Sequence, residues 1–133
     1  MDLKTAGNAK RQTPAGVPPG THLLIDLWGA RRLQDRKLIE SALIGAATAC
    51  GATVLNIDLH EFGEAAGITG VAILAESHIS IHTWPEFSFA AVDVFMCGNL
   101  DPHKALEPLK QAFTPSEVNI ASHDRGIRAK PAA

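Results

Sequence analysis

Short apolar and alternating runs along the chain predict a β-sheet. Side chains alternate between the two faces of a strand, so a segment in which every second residue is apolar predicts a half-buried strand. Residues 53–60 alternate in this way, and the pattern places Leu55, Ile57 and Leu59 on the buried face. The predicted strands, including the more continuously apolar ones, are 22–28, 53–60, 71–75, 89–96 and 117–121.

Two longer segments have the period of an α-helix. Between residues 36 and 50, apolar side chains recur every three or four positions, and Asp35 is the predicted N-cap. Asp101 and Pro102 predict the start of a second helix, as its cap and its first residue. Pro108 is expected to bend or shorten that helix. Its predicted buried stripe comprises Ala105, Leu106, Leu109, Ala112 and Phe113.

These elements predict an α+β fold, a two-layer sandwich whose mainly antiparallel sheet carries both helices on one face. We expect a single domain over residues 20–126. Residues 1–19 contain three prolines and few large apolar side chains, which predicts a disordered arm. Residues 127–133 predict a flexible tail. The glycine- and alanine-rich residues 61–70 predict a loop.

Composition limits the classes of partner. The 133-residue chain is 46% apolar and 20% charged, with a formal net charge of −2, so no basic surface for nucleic acid or an anionic membrane is expected. No apolar run approaches the roughly 20 residues of a membrane span. Cys50 and Cys97 lie far apart in sequence and predict free thiols in a reducing compartment, and hence a cytoplasmic protein.

The segment 76–86 concentrates reactive side chains directly after a predicted apolar strand. It runs Glu-Ser-His-Ile-Ser-Ile-His-Thr-Trp-Pro-Glu. His78 and His82 have a spacing that suits metal binding on a helix, but the β-branched residues and the Trp-Pro pair disfavour a helix here. On a strand the two histidines would lie about 13 Å apart. Zinc ligands lie within about 2.0–2.3 Å of the ion, so we expect no metal.

Two serine chemistries remain. A hydrolase would need Ser77 or Ser80 beside a base, and the Gly-x-Ser-x-Gly motif of many hydrolases is absent. In self-processing, the Ser77 hydroxyl attacks the neighbouring carbonyl of Glu76 and forms an ester, and elimination followed by hydrolysis leaves a pyruvoyl group. Neighbouring reactants have a high effective concentration. His82 is the natural proton shuttle, because histidine both accepts and returns protons near neutral pH.

The segment 76–86, followed by Ala-Val-Asp-Val-Phe-Met-Cys-Gly at 91–98 and Asp-Pro at 101–102, resembles the prokaryotic S-adenosylmethionine decarboxylase proenzyme family. The resemblance extends over residues 20–126 and includes Leu-Ile-Asp-Leu-Trp-Gly at 24–29. It implies a two-layer α/β sandwich and a dimer of processed protomers. It also implies a pyruvoyl-dependent carboxy-lyase whose product, decarboxylated S-adenosylmethionine, is the aminopropyl donor for spermidine synthesis.

The same resemblance implies a role for each matching residue in the reactive region. The chain is cleaved after Glu76, and Ser77 becomes the pyruvoyl group that forms a Schiff base with the substrate. His82 corresponds to the family's processing base. Cys97 corresponds to the catalytic proton donor.

Three further residues match the family with some departures. Glu86 corresponds to a glutamate that binds the substrate ribose, and Phe62 to an aromatic residue that stacks on adenine. Many relatives read Phe-x-Pro and then Gly-Val-Ser-Gly, whereas this chain lacks the proline and has Thr69 in place of a serine that assists processing. Threonine keeps the hydroxyl, so we expect processing to survive.

Two alternatives stay open on the sequence. Near the end of the domain, residues 122–126 replace a more basic family stretch, so the same pyruvoyl chemistry on arginine or ornithine is an alternative to S-adenosylmethionine. A non-catalytic subunit that never cleaves is a second alternative, which the presence of Ser77, His82 and Cys97 disfavours.

Overall fold

The computed structural model describes residues 17–128. Residues 1–16 and 129–133, which hold most of the predicted arm and tail, lie outside the described residues. Within the described range, no helix is both long and apolar enough to cross a membrane.

Six antiparallel strands form a single sheet in the described part of the chain. Its spatial order is β2-β3-β4-β5-β1-β6, so β4 and β5 are the central pair. The strands are β1 Gly20–Trp28, β2 Val54–Glu61, β3 Ile68–Leu74, β4 Ser77–Trp84, β5 Phe89–Cys97 and β6 Glu117–Arg125.

The first helix has its predicted bounds, whereas the predicted start of the second helix at Pro102 is a 3₁₀ turn and its α-helical part begins later. The first, α1, spans Arg36–Cys50, and the carboxylate of Asp35 accepts a hydrogen bond from the Leu38 N–H at 3.1 Å. The second, α2, spans Leu106–Phe113 and follows a 3₁₀ turn over Pro102–Ala105. Pro108 lies in the first turn of α2, where its missing N–H leaves no helical bond unmade, and the α-helix is short as predicted.

One face of the sheet carries the hydrophobic core, and the other face is open. In β5 the even-numbered residues, Ala90 to Met96, are fully buried, while the odd-numbered residues lie on the open face. Both helices contribute to the same core, through residues such as Leu43 and Leu109. The predicted two-layer α+β sandwich with both helices on one face is therefore confirmed.

Several local predictions were wrong. No strand was predicted within the segment 76–86, yet Ser77–Trp84 forms β4, and β3 begins at Ile68, inside the predicted loop. A β-bulge between Val54 and Asn56 turns Leu55 to solvent, so Val54 packs against the core in its place. The last strand continues to Arg125, four residues beyond its predicted end.

Candidate active site

A two-residue turn joins β3 to β4 at the predicted cleavage point. Leu74 pairs with Ser77, so Ala75 and Glu76 make the whole connection. Glu76 has φ +60°, a left-handed conformation that is uncommon and strained for a residue with a side chain. The Ala75 N–H donates to the Thr53 carbonyl at 2.9 Å, which holds the turn against the start of β2.

Ser77 is held by the backbone of the neighbouring strand. It is only 8% exposed and lies on the helix-facing side of β4. Its Oγ accepts a hydrogen bond from the Cys97 N–H at 3.1 Å, and the Cys97 Sγ lies 3.8 Å from Glu76 Oε1. We call these three residues, Glu76, Ser77 and Cys97, the cleavage end of β4.

A second group of predicted residues gathers at the opposite end of β4. Thr69 lies opposite His82 in the register of β3 and β4, and Thr69 Oγ1 lies 3.2 Å from His82 Nδ1. They border an open groove of about 460 Å³, within the size range of small-molecule sites. We call the groove and its lining the groove end; the lining residues are Phe62, Ala65, Ala66, Gly67, Thr69, His82, Thr83, Trp84 and Glu86.

The structure does not bring His82 to Ser77 within one chain. The two residues are five positions apart in β4, which corresponds to about 16 Å along a strand. An odd separation also places them on opposite faces of the sheet, in agreement with a buried Ser77 and an exposed His82. The seven predicted residues therefore form two separate clusters.

The other reactive side chains of β4 and its neighbours are engaged elsewhere. Ser80 Oγ donates to Asp93 Oδ2 at 3.2 Å, so its proton points to a carboxylate and not to a histidine base. His22 Nε2 lies 3.9 Å from Asp93 Oδ1 on the same open face. Burial lowers the pKa of His22, with the carboxylate of Asp93 opposing that shift.

The Cys50 thiol lies in α1, outside these strands. Burial raises its pKa to about 11, so that thiol stays protonated.

Two groove residues were not predicted to have a role. Trp84 lines the groove, and its ring stacks on His82 with centroids 6.0 Å apart. Thr83 belonged to the reactive segment without an assignment. Strand periodicity would have placed Trp84 beside His82, because residues two apart share a face. That signal depends on recognising β4 as a strand.

Comparison with known proteins identifies the family of the chain. The sequence pattern of the family described as S-adenosylmethionine decarboxylase matches residues 21–126. A Methanococcus maripaludis protein named S-adenosylmethionine decarboxylase proenzyme is 43% identical over 111 residues, which cover 81% of this chain and 90% of the relative. A Thermomicrobium roseum protein of the same name is 38% identical over 109 residues, which cover 81% of this chain and 94% of the relative.

A solved structure has the same architecture. The crystal structure of the adenosylmethionine decarboxylase from Aquifex aeolicus matches with a TM-score of 0.75 and 33% sequence identity. The match covers 88% of this chain and 98% of the other. Sequence pattern, relatives and fold thus confirm the predicted resemblance, and the chain belongs to the S-adenosylmethionine decarboxylase family.

Proposed function

We propose that the protein cleaves its own backbone between Glu76 and Ser77 and then decarboxylates S-adenosylmethionine. The products are carbon dioxide and decarboxylated S-adenosylmethionine, the aminopropyl donor for spermidine synthesis. The observation that carries the proposal is the strained Glu76, at φ +60°, directly before a buried Ser77 whose hydroxyl is already held by a backbone N–H. This geometry occurs in a member of the decarboxylase family.

The cleavage uses atoms of the chain and one water molecule. Ser77 Oγ attacks the carbonyl carbon of Glu76, the C–N bond breaks, and an ester replaces the peptide. Removal of the Ser77 α-proton then breaks the Cβ–O bond, so Glu76 leaves as a carboxylate. The dehydroalanine that remains takes up water and releases ammonia, which leaves a pyruvoyl group. The relief of strain at Glu76 favours the first step.

The cleavage end fits a pyruvoyl group at residue 77. Such a group supplies a carbonyl that accepts electrons as carbon dioxide leaves. The half-buried Cys97 lies beside this position and is proposed as the acid that protonates the substrate α-carbon. That role requires a reduced thiol, so we place the enzyme in the cytoplasm.

The groove end is proposed to bind the adenosyl part of the substrate. Glu86 can accept two hydrogen bonds from a ribose diol, and bonds to a carboxylate are the stronger ones. Phe62, which is 61% exposed, lines the groove and can stack on adenine. Arginine and ornithine have neither a ribose nor a nucleobase, so they would leave these groups unused.

A dimer would make the two clusters into one site. His82 cannot reach Ser77 of its own chain, so its proposed role as processing base requires Ser77 of a second copy. The open face of the sheet suits self-association, because Leu24, Trp28, Ile73 and Trp84 are all exposed there. We therefore propose that each active site combines the cleavage end of one protomer with the groove end of its partner.

The substrate is tested by competition. Purified, processed protein should release carbon dioxide from carboxyl-labelled S-adenosylmethionine with a higher kcat/KM than from labelled arginine or ornithine. A higher kcat/KM for either amino acid would contradict the substrate while leaving the cleavage mechanism intact. No release from any of the three by fully cleaved protein would contradict the decarboxylase itself.

A further inference from the structure

Thr83 is a buried polar residue without a role so far. Among the described residues, the buried polar or charged ones are Ser77 and Thr83, and Thr83 is only 5% exposed. Its side chain lies on the helix-facing side of β4, opposite to the exposed His82 and Trp84. Burial of a hydroxyl is unfavourable unless hydrogen bonds replace its water, so its partners show what the hydroxyl holds.

The hydroxyl of Thr83 joins β4 to two other segments. Its Oγ1 accepts a hydrogen bond from the Ile68 N–H at 2.9 Å, at the first residue of β3. It donates to the carbonyl of Leu33, 2.8 Å away in the connection between β1 and α1. The Ile68 carbonyl is farther, at 3.4 Å, so the single hydroxyl proton goes to Leu33.

The backbone of Thr83 also fixes the loop that forms one wall of the groove. A Cβ on Gly67 would lie only 1.9 Å from the Thr83 carbonyl oxygen, so this close approach requires glycine. The loop is closed by the Phe62 N–H, which donates to the Gly67 carbonyl at 3.1 Å. Thr83 thus contacts the loop at Gly67 and anchors the next residue, Ile68, through its hydroxyl.

We propose that Thr83 is a positioning residue that holds the 62–67 loop and the start of β3 in the geometry that binds the substrate. Its side chain faces the core, and it acts through Phe62 and through Thr69, the neighbour of Ile68. The inference rests on the proposed function, because the groove is its substrate site. Loss of the hydroxyl should therefore weaken binding more than it slows turnover.

The test compares two substitutions that separate shape from hydrogen bonding. Thr83→Val keeps the shape and removes the hydroxyl, and it should raise KM for S-adenosylmethionine about tenfold with kcat changed less than about twofold. Thr83→Ser keeps the hydroxyl and should stay near the wild-type KM. Hydrogen exchange measured on the same proteins should show faster exchange of the Phe62 and Ile68 amides in Thr83→Val, and unchanged exchange in β5.

Two further variants keep the test decisive. Ile25→Val removes one methylene from the buried part of β1, away from the loop, and should leave KM unchanged. Gly67→Ala disturbs the contact between Gly67 and the Thr83 carbonyl from the loop side, so it should also raise KM. This variant provides the test if Thr83→Val is insoluble.

The results that overturn the inference are specific. They are an unchanged KM in Thr83→Val or Gly67→Ala, equal defects in Thr83→Val and Thr83→Ser, or unchanged exchange at Phe62 and Ile68. A wild-type protein inactive on S-adenosylmethionine would instead refute the proposed function, and the exchange rates would still decide whether Thr83 holds the loop.

Discussion

At the cleavage end of β4 the backbone positions the reactive groups, whereas at the groove end side chains do so. Ser77 is nearly inaccessible, its hydroxyl is fixed by a main-chain N–H, and the strain lies in the φ angle of Glu76. At the groove end, Phe62 is 61% exposed and His82 is exposed, with a side-chain hydroxyl as the partner of its ring.

This difference separates two tasks along one strand. A hydrogen-bonded turn followed directly by a buried Ser77 suits a reaction between two neighbouring residues, since their approach requires little motion. An open groove with aromatic and acidic side chains suits the recognition of a ligand that must enter and leave. Because the proposed base lies at the groove end and the proposed nucleophile follows the turn, one chain holds both halves of the proposed site without joining them.

The largest effect is expected when each end of β4 is inactivated in a different copy of the chain. Ser77→Ala removes the proposed nucleophile and His82→Ala removes the proposed base, so neither variant should cleave when expressed alone. When the two are co-expressed, His82 of the first can act on Ser77 of the second, and the His82→Ala chain should be cleaved. The products are read by mass spectrometry of the purified mixture.

The same experiment can contradict the proposed site between two protomers. Efficient cleavage of the His82→Ala protein alone would give His82 another role. If both single variants are inert and co-expression restores nothing, the proposal that the site combines two protomers is wrong. A control that co-expresses Ser77→Ala with the wild type confirms that mixed dimers form, through tags on the two chains.

The next effect concerns Cys97 and separates cleavage from decarboxylation. Ser77 is contacted by the Cys97 N–H, which every substitution except proline retains, so Cys97→Ala should still cleave. Loss of a positioned acid should lower kcat by roughly 10²–10⁴-fold, and Cys97→Ser should be intermediate. Cys50→Ala, at a buried thiol in the last residue of α1, is the matched control and should keep kcat. Unchanged turnover in Cys97→Ala would identify another proton donor.

A smaller effect is expected at the groove end. Glu86→Gln removes the charge but keeps the shape, so it should raise KM for S-adenosylmethionine about tenfold and lower kcat less. Steady-state kinetics of the processed enzyme measure both constants. Glu40→Gln, on the exposed side of α1, is the control and should change neither. A loss confined to kcat would place Glu86 in the chemistry and not in binding.

The smallest effect concerns protonation on the open face beside the cleavage end. Burial lowers the pKa of His22 from 6.5, and His78, Arg125 and His123 add to that shift while Asp93 opposes it. The folded protein therefore binds this proton less readily than the unfolded chain does, so the free energy of unfolding should fall as the pH drops below about 6.5. Denaturation of His22→Gln should show a weaker fall, and an NMR titration of His22 above 6.5 would contradict the account.

Local signals explain what the sequence predicted well. The helix over residues 36–50 was correct at both ends, because Asp35 caps it and an apolar stripe with a helical period fills it. The second helix was recognised from Asp101 and Pro102 for the same reason. The open and buried faces of β5 follow directly from its alternation.

The site depended on contacts that the sequence does not display. Polar Ser77 and Thr83 occupy buried positions of β4. The alternation of apolar and polar residues that predicts a strand is therefore incomplete in this segment. Ala75 and Glu76 lack the glycine or asparagine of a common two-residue hairpin, so the pairing of Leu74 with Ser77 could not be predicted. That pairing sets Thr69 opposite His82. Pairing of β4 with β5, which brings the Cys97 N–H to Ser77, is likewise a tertiary property.

The most direct test of the central claim is the intact mass of the purified protein after long incubation. We predict two chains, residues 1–76 and 77–133, held together under native conditions. The second should lack the mass of ammonia relative to a chain that begins with serine, and it should resist Edman sequencing because its first residue has no amine. Detection of only the full-length mass, or of a second chain that begins with an intact serine, would contradict self-cleavage to a pyruvoyl enzyme.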